Sequence, residues 1–61
     1  MNPVEVWSSS TNLGSFNVSD AAYSGLFSLP VGQYIVVNGT RRKTTSVEFN
    51  INSGILIIRV A

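Results

Sequence analysis

Apolar and polar residues alternate with a period of two through most of this chain, and that period belongs to the β-strand. In SVEFNI, Val47, Phe49 and Ile51 fall on one side and the polar residues between them on the other. The stretches VEVW and QYIVV are rich in β-branched and aromatic residues, which favour strands. We therefore predict an all-β fold: a small antiparallel β-sandwich or barrel of about five to seven short strands joined by hairpins, with residues 1–61 as a single β domain.

Turn-forming residues separate the predicted strands. Asn38 and Gly39 lie between two strand-like stretches and predict a type I′ hairpin turn, which needs positive φ at both central positions. Residues 8–12, SSSTN, are typical of a loop. Residues 20–25, DAAYSG, predict one helical turn with a serine or aspartate cap at its start and a glycine at its end.

The last two predicted strands fit together in one register. With Ser53 and Gly54 as a two-residue turn, Phe49 pairs with Ile58, and Glu48 lies across from Arg59 as a favourable charge pair. A slip of one residue would turn the apolar side chains outward. This register sends six apolar side chains into the core: Val47, Phe49, Ile51, Leu56, Ile58 and Val60.

The size of the chain indicates that it needs outside support. A chain of 61 residues is marginally stable alone, and small scaffolds usually rely on disulfides, metals or oligomerisation. There is no cysteine and no histidine, and charged residues make up only 11% of the sequence against about 25% in an ordinary soluble domain. We therefore predict a protein partner or self-association, most simply as a homo-oligomer.

Four residues are the predicted contacts of that interface. Ile55 and Ile57 fall on the face of the last strand that points away from the core, so another strand or another chain should cover them. Trp7 shares the face of Glu5, where it either packs under residues 8–12 or anchors a partner. Tyr34 is the fourth predicted contact of the interface.

The sequence offers little for catalysis. Without histidine or cysteine it has no Ser-His-Asp triad, no Cys-His pair and no common zinc site. Its three acids, Glu5, Asp20 and Glu48, are far apart, and its glycines form no phosphate-binding loop. We predict that the protein is not an enzyme, holds no metal and uses no cofactor.

Arg41, Arg42 and Lys43 form the one cluster of charge, and we call it the cationic segment. Its simplest interpretation is an edge strand whose charges block aggregation. A contact with an anion or an acidic partner is the second interpretation. Nucleic acid is the least expected partner, because three charges without an aromatic stacking platform make a weak footprint.

Targeting signals are not evident in the sequence. The net charge is +1, and no apolar run approaches the roughly 20 residues of a membrane-spanning helix. The stretch MNPVEVW lacks the basic and apolar regions of a signal peptide. Localisation is therefore open, and a virion is one location that fits.

The stretch LPVGQYIVV, residues 29–37, resembles an L-P-x-G-x-Y-x-V edge of many small β-sandwich modules. These include carboxypeptidase-regulatory-like domains and the C-terminal sorting domains of the type IX secretion pathway. The resemblance covers nine residues and implies a turn followed by a strand within a sandwich fold.

The favoured hypothesis is a non-enzymatic structural or assembly protein. It would be a small subunit that docks on or oligomerises within a larger symmetric assembly, such as a virion decoration or cement protein that covers a capsid. The first alternative is a β-sandwich binding or sorting module cut from a longer extracellular protein. The second is a small nucleic-acid-binding β-barrel that uses Arg41 and Arg42.

Overall fold

The computed structural model describes residues 2–61, which form one mixed β-sheet and one helix. The sheet has the strand order β2-β1-β5-β4-β3 and curls into a half-barrel. Strands account for 60% of the structure, which confirms the all-β class. The elements in chain order are β1 (Asn2–Ser8), β2 (Thr11–Val18), α1 (Asp20–Phe27), β3 (Tyr34–Val37), β4 (Thr40–Asn50) and β5 (Ile55–Val60).

The predicted antiparallel sandwich or barrel is wrong in two respects. The central strands β1 and β5 run parallel, with Val4 opposite Leu56 and Val6 opposite Ile58, whereas the other neighbouring pairs are antiparallel. In place of a second sheet, α1 packs on the core side. Parallel pairing is possible because β2, α1, β3 and β4 separate β1 from β5 along the chain, which is more than the dozen or so residues that a parallel crossover needs.

Helix α1 is longer than the single predicted turn. Ser19 is its N-cap, and its hydroxyl accepts a hydrogen bond from the Ala22 amide at 3.2 Å. Gly25 does not end the helix, which continues to Phe27 and closes where the Ser28 amide bonds the carbonyls of the preceding turn. Glycine lowers helix propensity but does not forbid the helical backbone, so packing against the sheet decides the length.

Two tight hairpins join neighbouring strands. Asn38 and Gly39 have φ of 52° and 80°, and this confirms the predicted turn with two left-handed residues. The loop predicted over residues 8–12 is tighter than expected, because Ser8 already pairs with Thr11 across a two-residue turn.

The turn between β4 and β5 differs from the prediction. It spans residues 51–54, four residues instead of two, and Asn50 pairs with Ile55. The reason is the Asn50 side chain, whose Oδ1 accepts hydrogen bonds from the amides of Asn52 at 3.1 Å and Ser53 at 3.3 Å. Such a side-chain-to-backbone turn competes with further strand pairing.

The longer turn shifts the register by two residues and therefore keeps each side chain on its predicted face. Phe49 now lies opposite Leu56, and Glu48 lies opposite Ile57. The Glu48–Arg59 charge pair still forms along a diagonal, with Arg59 Nε donating to Glu48 Oε2 at 3.0 Å.

The core lies between the sheet and α1, with Tyr23 and Leu26 of the helix packed against it. The predicted burial of Leu56, Ile58 and Val60 is confirmed. The predicted burial of Phe49 and Ile51 is wrong, because they are 44% and 84% exposed. Ile51 belongs to the turn, and Phe49 lies near the end of β4. The buried apolar residues are Val4, Val6, Val37, Leu56, Ile58 and Val60.

Candidate functional site

All four predicted contact residues point to the outer face, the sheet surface opposite the core, and three of them lie together on its central strands. Glu5 pairs with Ile57 and Trp7 pairs with Arg59 across β1 and β5, so Trp7 and Ile57 are neighbours on this face, and Ile55 follows on the same strand. All three are partly buried. No helix or strand of residues 2–61 forms a second layer over them.

Hydrogen bonds between neighbouring side chains satisfy the charges of the outer face. Trp7 Nε1 donates to Glu5 Oε1 at 3.0 Å, and Glu48 accepts from Arg59. Ile57 therefore lies between two carboxylates that each have a partner. The outer face therefore presents little unpaired charge to a partner, and its apolar side chains are only partly exposed.

Tyr34, the fourth predicted contact, lies away from the other three at the sheet edge. It is 48% exposed and pairs with Lys43. The Arg41 guanidinium lies over the Tyr34 ring, 4.1 Å from its centroid, in a cation–π contact. A positive charge that belongs to β4 is thus held above the edge strand β3.

No Asp or Glu side chain within residues 2–61 pairs with the cationic segment. The ion pair within residues 2–61 joins Arg59 to Glu48. The carboxylates of Glu5 and Asp20 accept hydrogen bonds from Trp7 and Asn2, respectively. Arg42 donates to the carbonyl of Ala61 at 3.1 Å. Arg41 and Lys43 therefore present uncompensated positive charge beside β3.

Strand β3 also leaves backbone groups unpaired. Because Thr44 N bonds Gln33 O and Val37 pairs with Thr40 across a two-residue turn, the hydrogen-bonded pairs fall at residues 33, 35 and 37. The amides and carbonyls of Tyr34 and Val36 consequently point away from β4. Within the described chain β3 is an edge strand, so these groups face no further strand.

An apolar groove lies between β3, α1 and β2. It opens to solvent and has a volume of about 200 Å³. Asn38 Nδ2 donates to the carbonyl of Leu13 at 2.8 Å and ties the β3–β4 turn to β2 beside the groove. The lining is apolar except for Asn38 and comprises Val4, Val6, Phe16, Val18, Leu26, Ile35, Val36, Val37 and Ile58.

A second apolar surface is formed by Phe27 and Phe49, and the exposed Ile51 follows two residues later in the adjoining β4–β5 turn; we call these three residues the apolar patch. The rings of Phe27 and Phe49 are 5.7 Å apart, and Tyr23 meets Phe27 edge to face at 4.9 Å. The three patch residues are 48%, 44% and 84% exposed. None of them is charged.

Sequence reasoning missed both the groove and the patch. The alternation of SVEFNI places Phe49 and Ile51 on the core face, but Ile51 belongs to the β4–β5 turn and Phe49 lies near the end of β4, where it contacts Phe27 at the end of α1. Val36, 71% exposed, looked like one member of an ordinary strand. The signal that could have identified it is the short YIVV run beside a cationic strand, which suits a sheet edge.

The chemistry of residues 2–61 is limited. No three histidine, cysteine or acidic side chains within this range come together as a group that could hold a metal ion. The eight-residue α1 is far too short to span a membrane, and the described chain has no helix that could. The arrangement presents surfaces for contact rather than a set of reacting groups.

Comparison with known proteins adds no relative. No family model matches the chain. Neither the curated proteins nor the solved structures give a significant match.

Proposed function

We propose that this protein is a non-enzymatic structural protein, a small subunit that joins copies of itself within a larger symmetric assembly. The observation that carries the proposal is the apolar patch of Phe27, Phe49 and Ile51. Exposed aromatic and aliphatic clusters of this kind mark protein–protein contacts. A virion decoration or cement protein would have the same physical requirement.

The patch suits a second copy of the same chain. Its members are uncharged, so two copies can meet across a two-fold axis without like-charge repulsion. A standard interface buries about 800 Å² per subunit. That is about one fifth of the 3847 Å² surface of this molecule, so the contact would extend from the patch onto α1 and the β4–β5 turn.

A dilution series followed by NMR tests the proposal and locates the surface. Signals of Phe27, Phe49 and Ile51 should move with protein concentration, whereas those of Val31 should not. Val31 is 71% exposed and lies outside the patch. Concentration-dependent shifts confined to Ile55 and Ile57 would contradict the proposal and favour the outer face.

A matched pair of variants provides the control. Ile51→Ser removes the most exposed patch residue and should weaken self-association about tenfold. Val31→Ser removes a similar side chain elsewhere and should leave self-association unchanged. If both variants weaken self-association equally, general hydrophobicity is the cause; if neither weakens it, the patch is not the interface.

A further inference from the structure

We propose that β3 binds an extended acidic segment of a different protein as an added strand. This inference does not depend on self-association through the apolar patch. Three independent features meet at one edge: unpaired backbone groups on β3, the apolar groove beside it, and the uncompensated charge of Arg41 and Lys43. Together they define which segment would fit.

The backbone of β3 provides the attachment. The outward amides and carbonyls of Tyr34 and Val36 can each take a hydrogen bond from a strand placed about 4.8 Å away. Neither the hairpin with β4 nor the core needs to change. Because β3 has only four residues, the docked stretch is short.

The groove selects apolar side chains on one face of the added strand. Ile35 and Val37 point toward it from β3, and Phe16 borders it from β2. An apolar cavity of about 150 Å³ is large enough to bind benzene. The groove, at about 200 Å³, would therefore accept one large aliphatic or aromatic side chain.

The charges select acidic side chains on the opposite face. Tyr34 points outward there, and the Arg41 guanidinium already lies above the edge strand. Carboxylates on the outward face of an added strand would come within reach of this cation and of Lys43.

A second copy of this chain is a poor occupant of the β3 edge. Two β3 edges brought together would place the Arg41 guanidinium of each copy above the edge strand next to the shared seam, and like charges oppose that pairing. The other open edge strand, β2, contains no acidic residue that could form an ion pair with Arg41 or Lys43. The partner is therefore a different chain.

The test uses the whole protein and blocked peptides of about ten residues in which valine alternates with glutamate. Saturating peptide should slow amide hydrogen exchange at Tyr34 and Val36 by about tenfold or more. The amides of Ile35 and Val37 already bond β4 and serve as internal controls. A valine–lysine peptide should not bind, and a glutamate–serine peptide should bind about tenfold more weakly or worse.

Two kinds of variant separate backbone from charge. Val36→Pro removes one outward amide without removing a β3–β4 bond, and Val36→Thr keeps it as the control. The proline variant should lose about tenfold or more in affinity, and the threonine variant should lose less. Should Val36→Pro fail to fold, Arg41→Glu tests the same site and should weaken valine–glutamate binding by a similar factor.

Several results would overturn the inference. They are no binding of the valine–glutamate peptide, equal binding of the glutamate–serine peptide, or protection that leaves Tyr34 and Val36 unchanged. Salt-sensitive binding of oligothymidylate with no peptide binding would assign the edge to nucleic acid instead. A protein that remains monomeric yet binds the peptide would refute the proposed self-association alone.

Discussion

Replacing Leu56 by alanine should destabilise this protein much more than replacing Phe49 by alanine. Leu56 is fully buried at the centre of the sheet, so its truncation should cost about 4 kcal/mol, near the upper part of the range for buried leucine. A buried phenylalanine loses about 3–5 kcal/mol on truncation. Phe49 is already 44% exposed, so about half of that, roughly 2 kcal/mol, should be lost.

The total stability makes this difference measurable. A chain of 61 residues is expected to have about 3–9 kcal/mol of unfolding free energy. Urea unfolding at low protein concentration, followed by circular dichroism and by the fluorescence of Trp7, would give the loss of unfolding free energy for each of the two variants. Trp7 is the one tryptophan and its indole lies on the outer face, so neither substitution removes the probe. Equal losses for the two variants would refute the assignment of the core.

Three further substitutions test single contacts with the same assay. Thr44→Val should raise stability by about 1 kcal/mol, because the Thr44 hydroxyl is buried and has no hydrogen-bond partner among residues 2–61; a loss would reveal a partner. Ser19→Ala should lower stability by about 1 kcal/mol, since it removes the N-cap of α1; no change would mean that the cap contributes nothing. Glu48→Gln should change stability by less than about 0.5 kcal/mol because both partners of the Arg59 ion pair are exposed; a larger loss would show that the pair is effectively desolvated.

Local signals in the sequence were sufficient for most of the strands. Alternation identified them, and Asn38 with Gly39 identified a turn that needs two left-handed residues. The β4–β5 register was off by two because it depends on hydrogen bonds that one side chain, Asn50, accepts from the turn amides, and strand periodicity does not report them. Each side chain still lies on its predicted face of the sheet, because a shift of two residues is one full period of a strand.

Long-range arrangement was the part that could not be predicted. The parallel pairing of β1 with β5 joins residues more than 50 positions apart, and nothing local to either strand sets its direction. Tyr34 and the cationic segment were predicted contacts, but the cation–π stack appears only when β3 pairs with β4, and the groove only when β3, β2 and α1 are placed together. The exposure of Phe49 likewise depends on where α1 ends.

Light scattering on a sizing column, across a concentration series of the wild-type protein, tests the central claim most directly. The proposed assembly through the apolar patch predicts a mass that rises with concentration from the 6.6 kDa monomer to twice that value or a higher defined multiple. A mass of 6.6 kDa at every concentration would contradict it.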